Sequence, residues 1–142
     1  MRLRTLFIVL VVVVVVPATG VSAGDGCAPI EGTALVDIAN GVGTANVAYD
    51  GERLRVPFFT VGFAPTGEFT ADIEILFRFP RGDVYVVEHS VSTPKGGPAV
   101  EFNSTIDVSD GEGSQWTWSG TANLASGRAA IARWSGDLCL AP

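Results

Sequence analysis

The stretch Phe69-Thr70-Ala71-Asp72-Ile73-Glu74-Ile75-Leu76-Phe77-Arg78-Phe79 decides the fold. Phe69, Ala71, Ile73, Ile75, Phe77 and Phe79 recur with period two, interleaved with Thr70, Asp72, Glu74, Leu76 and Arg78. Successive side chains of a strand point to opposite faces, so this segment is a strand with one apolar and one mainly polar face. Such a strand buries one side and shows the other to water.

Outward from this segment, the same alternation and the intervening turn signals divide the chain into about eight strands, with no helical period. The first runs near Gly32 to Ala39 and ends at Asn40-Gly41; the second, Val42 to Tyr49, ends at Asp50-Gly51. Both dipeptides are two-residue hairpin signals. The third runs from Glu52 to Phe63, and its inward phase slips at Pro57, from Leu54 and Val56 to Phe59, Val61 and Phe63, as a bulge there would produce. The fourth is the segment quoted above, and the fifth is Asp83 to Ser92. The longest connection, Thr93 to Pro98, leads to a sixth strand with Val100, Phe102, Ser104, Ile106 and Val108 on one face. The seventh runs from Ser114 to Leu124 and the eighth from Arg128 to Leu140.

Short connections favour antiparallel neighbours in sequence order, an up-and-down meander. Eight such strands either close into a barrel or split into a two-sheet sandwich. The two cysteines favour closure. Cys27 precedes the first strand and Cys139 lies in the last, and a disulfide needs Cα atoms within about 7 Å. Closure makes those strands neighbours and removes two exposed edges. The expected fold is therefore an all-β, antiparallel closed barrel with one disulfide joining the N-terminus to the last strand.

The N-terminus has the three parts of an export signal. Arg2 and Arg4 are positive, Leu6 to Val16 is an unbroken apolar run, and Val21-Ser22-Ala23 supplies small residues before Gly24. Residues 1–23 read as a Sec signal peptide and 24–142 as one secreted or periplasmic domain, with an uncleaved anchor as the competing reading. The apolar run is shorter than the roughly 20 residues of a membrane span. Without Arg2 and Arg4, seven Lys/Arg face fifteen Asp/Glu, a formal charge of −8. That balance argues against nucleic acid or an anionic membrane as partner. No stable membrane insertion is expected after cleavage, and an oxidising compartment suits the cysteine pair.

Chemistry-bearing residues are few. His89 is the only histidine, and its neighbour Glu88 must face the opposite side of the strand. The set Tyr85, Val87, His89, Val91 is slightly more apolar than Val84, Val86, Glu88, Ser90, which assigns His89 to the interior. Trp116 and Trp118 share a face with Gly120 and Ala122, and the eighth strand offers Ala130, Ala132, Trp134, Gly136 and Leu138 at the same spacing. These aromatics either fill a tapered core or wall a pocket. Arg81-Gly82-Asp83 matches the cell-adhesion tripeptide and Asn103-Ser104-Thr105 a glycosylation acceptor, both short patterns that arise by chance. Asp107, Asp110 and Glu112 do not have calcium-loop spacing. No metal site, phosphate loop, nucleophile elbow or cofactor motif is present.

Three readings follow. The first is non-enzymatic binding of a small, mostly apolar ligand in the barrel interior, against Trp116, Trp118, Trp134, His89, Tyr85 and Phe59, with Phe69 and Phe77 adding wall. The second is a structural or protein-interaction domain with a filled core, meeting an extracellular protein through its acidic outer face or the Thr93 to Pro98 loop. The third is an isomerase, cyclase or hydrolase using His89 or Glu88, with Tyr49, Tyr85 or Arg133 nearby.

Overall fold

The computed structural model describes residues 26–140; the leader assigned to residues 1–23 lies outside them. Eight strands follow one another: β1 (Cys27–Asp37), β2 (Val42–Tyr49), β3 (Glu52–Pro65), β4 (Thr70–Phe79), β5 (Gly82–Gly96), β6 (Ala99–Val108), β7 (Gln115–Asn123) and β8 (Arg128–Cys139). Each pairs antiparallel with the next, and β8 pairs with β1, so the meander closes into a barrel. Cys27 stands opposite Cys139 in that closing ladder, and the two form a disulfide. The bond ties residues 112 apart in sequence, a loop long enough for about 4–5 kcal/mol of stabilisation in the loop-entropy picture.

Turn chemistry sets the register. At Asp50-Gly51 both residues have positive φ, 49° and 76°, as a two-residue turn matching strand twist demands. Asn40-Gly41 instead ends a four-residue loop, in which Asp37 accepts hydrogen bonds from the Asn40 backbone and side chain. The connection expected over Thr93 to Pro98 is much shorter. β5 continues to Gly96, and only Gly97 and Pro98 separate it from β6.

Two phase expectations are corrected. In β3 the inward residues continue through Pro57 as Leu54, Val56, Phe58 and Thr60, and the register shifts only between Thr60 and Gly62. Phe59 is therefore outward, Val61 sits at the irregularity, and Phe63, back in phase opposite Ile73, is exposed because it lies near the end of β3. In β8 an extra residue sits between Ile131 and Arg133 opposite Ser119 and Gly120. That bulge puts Ala129, Ile131, Trp134 and Leu138 inside and leaves Ala130 and Ala132 exposed.

The inner faces meet in a single aromatic core. Phe77, fully buried, lies with its ring centroid 4.9 Å from Phe58, 5.2 Å from Trp116, 5.3 Å from Trp134 and 6.0 Å from Trp118. Trp116 and Trp134 stack at 4.4 Å with planes 7° apart, and Trp118 meets both edge-on. Small residues make room for these rings. The Phe58 ring covers Gly43 across the β2–β3 ladder, where any side chain would collide with it. Gly136, at φ 151°, lets β8 approach the Gln115–Trp116 backbone.

Because Phe77 touches most of this cluster, truncation to alanine leaves a cavity that rigid strands cannot close. Phe77→Ala is expected to lower unfolding free energy by about 3–5 kcal/mol, measured by urea denaturation. A loss under 1 kcal/mol would show that the rings are loosely packed.

Candidate functional site

The six residues expected to contact a ligand separate into two groups. Trp116, Trp118 and Trp134 are buried in the lumen, as part of the core. Phe59, Tyr85 and His89 lie on outward positions of β3 and β5 and share no pocket with them. The interior assignment of His89 is corrected: the inward residues of β5 are Val84, Val86, Glu88 and Ser90. Small apolar excess was the wrong discriminator, because the inner face carries its own polar pair. Ser90 pairs with Ser104 across the β5–β6 ladder, and the Ser104 hydroxyl donates to Glu88 Oε1 at 2.5 Å.

Glu88 is 5% exposed, with no cation against it. Burial pushes its carboxyl above the ordinary range, and hydrogen bonding from Ser104, then Trp118 and Ser90, acts against that shift. The Trp118 indole lies close enough to influence the carboxyl, yet its Nε1 closes no well-formed hydrogen bond, and those of Trp116 and Trp134 also lack partners. Glu88 is thus an acid sealed in an aromatic interior.

His89 sits on the outer wall between two carboxylates, Nδ1 2.7 Å from Asp72 Oδ1 and Nε2 2.8 Å from Asp107 Oδ2. Only the imidazolium can donate to both, so hydrogen bonding to Asp72, then to Asp107, raises its pKa from 6.5. Among the described residues no group of three or more His, Cys, Asp or Glu is disposed to hold a metal ion.

Two concavities mark the surface. A crevice of about 20 Å³ between Tyr49, Phe79, Pro80 and Leu140 has room for little more than a water, and the Tyr49 hydroxyl donates to the Leu138 carbonyl beside it. A shallow open trough of about 770 Å³ crosses the outer wall over β3, β2, β1 and β8. Its floor includes Gly32, Ala48 and Ala132, and Arg53, Arg55 and Arg133 line it. Neither concavity reaches Glu88 or His89.

Outward positions carry Glu31, Arg53, Arg55, Asp72, Glu74 and Arg78, not the apolar band of a membrane-spanning barrel. Large exposed apolar residues gather at one end instead. Leu35, Ile38, Val42, Phe59, Val61, Phe63, Phe69, Val91 and Leu124 all lie in or toward the end formed by loops 38–41, 66–69, 97–98 and 124–127. Backbone hydrogen bonds join these loops and the strands beside them, from Ile38 N to the Gly127 carbonyl and from Leu124 N to the Pro98 carbonyl. The opposite end carries the disulfide and the Arg81–Asp50 ion pair, which ties Arg81 of the adhesion-like tripeptide to the neighbouring turn. Sequence reading missed the apolar end, since its members come from seven segments that only the barrel brings together.

No protein-family model matches the chain, and neither the curated proteins nor the solved structures yield a match.

Two pH effects follow. Glu88 has a folded pKa above its unfolded value, so its contribution is fully present below the unfolded pKa and is lost as pH rises through the folded one. Glu88→Gln is expected to flatten that fall and raise the melting temperature at pH 8, read by calorimetry from pH 4 to 9; an unchanged profile would mean that the carboxyl is solvated. His89 obeys the same sign, losing its contribution as pH rises above 6.5. Its exposure keeps that contribution small. By NMR its pKa is expected to lie above 6.5 and to return toward it in Asp72→Asn/Asp107→Asn. A wild-type value at or below 6.5 would show that the bridge does not persist in solution.

Proposed function

We propose that the protein is an exported, non-enzymatic interaction domain: a filled barrel that docks its apolar loop end onto an apolar, basic-rimmed surface of another extracellular protein. The observation that carries this reading is the gathering of nine large exposed apolar side chains at one end of an otherwise polar wall. Their exposures run from 37% to 70%, and apolar surface grouped at one place on a soluble domain marks a contact surface.

Charge argues for the partner's chemistry. The domain is acidic overall, which disfavours a second copy and an anionic bilayer. At the rim of the apolar end, Glu68 lies in loop 66–69, and Asp37, its pKa lowered by hydrogen bonds from Asn40, stands opposite Arg128 across the β1–β8 ladder. Lys95 is neutralised by Glu101 at 2.8 Å. A partner with an apolar centre and Lys or Arg around it complements both features.

The lumen supports the same reading. Eight buried aromatic side chains occupy the interior among the described residues, and neither concavity described above is lined by the interior acid Glu88. Interior ligand binding and interior catalysis both require such an opening.

Binding of the mature protein to an immobilised synthetic helix, Leu on one face and Lys on the other, tests the proposal against a Leu/Glu helix and phosphatidylcholine vesicles. Binding to the Leu/Lys helix is expected to be saturable, at least about ten-fold tighter than to the Leu/Glu helix, and lost in Phe63→Ser/Phe69→Ser/Leu124→Ser. Those side chains are exposed, so the variant keeps its fold. Equal binding by wild type and variant, a preference for vesicles, or self-association through this end would each overturn the proposal.

A further inference from the structure

From the outer wall, away from the loop end, we infer a second binding site: the arginine-lined trough over β3, β2, β1 and β8 takes a segment of an anionic polysaccharide. Seven Lys and Arg belong to the barrel, and three of them, Arg53, Arg55 and Arg133, line this one concavity. Arg81 and Lys95 elsewhere on the surface are engaged by carboxylates, whereas none of these three makes an ion pair among the described residues. Against these three guanidinium groups the hollow sets one carboxylate, Glu31, so it carries a local positive excess that a bound anion offsets.

Register fixes their arrangement. Arg53 and Arg55 alternate on the outer face of β3, opposite Ala48 and Asn46 of β2. Ala48 and Asn46 in turn face Glu31 and Thr33 of β1. Arg133 stands beyond β1, on β8, where the bulge at Ala132 turns it outward. The two walls are three strand intervals apart, about 14 Å at the usual spacing. Ala48 and Ala132 keep the ground between them low. Arg53 and Arg55 thus line the β3 side of the hollow and Arg133 its β8 side. An anionic group at each side meets a planar donor fork suited to carboxylate or sulfate.

The rest of the lining selects among anionic chains. Thr33, Asn46 and Ser135 supply hydroxyl and amide groups along the trough, partners for a hydroxyl-rich ligand. One route by which an extended acidic peptide gains affinity is main-chain pairing at a sheet edge, and the closed barrel has no edge to offer. Glu31, in the middle of the trough, adds a negative charge between the arginine walls and so disfavours a ligand whose charge is continuous. Anionic groups spaced along a sugar backbone satisfy all three conditions.

Titration calorimetry of the mature protein at low salt tests the inference, with oligogalacturonate as the carboxylated ligand, a heparin oligosaccharide as the sulfated one, and neutral dextran and poly-glutamate as controls. At least one anionic oligosaccharide is expected to bind, which of the two binds better identifying the anionic group, and dextran and poly-glutamate to bind at least about ten-fold more weakly. Arg53→Gln/Arg55→Gln/Arg133→Gln is expected to reduce that affinity ten-fold or more. Arg78→Gln/Arg81→Gln/Arg128→Gln, the same charge change outside the trough, is expected to stay within about three-fold of wild type. The emission of the three buried tryptophans reports whether each variant is folded. Absence of binding to both oligosaccharides, equal loss in the two triple variants, or equal affinity for poly-glutamate would overturn the inference.

Discussion

The hydrogen-bonded ladder between β1 and β8 is the constraint on which the rest depends. It turns a meander with two free edges into a wall with an inside and an outside, and the Cys27–Cys139 bond fastens that seam at one end. Once the wall is closed, every second residue of every strand must share a narrow lumen. The chain fills that lumen with rings centred on Phe77 and uses Gly43 and Gly136 to let rings and strands come close. With the interior so occupied, the proposed contacts are placed on the outer surface. On that surface two features stand apart from the polar wall, the apolar loop end and the arginine trough.

Much of this was legible in the sequence, because period-two alternation and turn dipeptides are local signals. The strands, their order and the closing disulfide follow from them, and β2 has the limits read from its turns, Val42 to Tyr49. What escaped was phase wherever a strand carries an extra residue. Pro57 looked like the reason for a slip in β3, yet a proline on an outward position disturbs nothing inward, and the irregularity falls after Thr60. In β8 the run Ala130, Ala132, Trp134 keeps the alternation on paper, while the bulge at Ala132 reverses it for the first two.

The site residues show the same division. Trp116, Trp118 and Trp134 were legible as inward aromatics, and the structure places them in the core. His89 and Glu88 were not separable by counting apolar neighbours, because Ser104 on the adjacent strand makes the interior tolerant of Glu88, and Asp72 and Asp107 hold His89 outside. Such partners are set by cross-strand register, and no local window contains them. Arg53, Arg55 and Arg133 were invisible as a group for the same reason, being far apart in the chain and near one another only on the closed wall.

All three tryptophans report on whether the lumen is solid, since each is at most 3% exposed. Acrylamide quenching of tryptophan emission in the mature protein is the most direct measurement. A filled barrel predicts blue-shifted emission and negligible quenching until the protein unfolds. Red-shifted emission with efficient quenching under native conditions would mean that solvent reaches the interior, and would contradict the account.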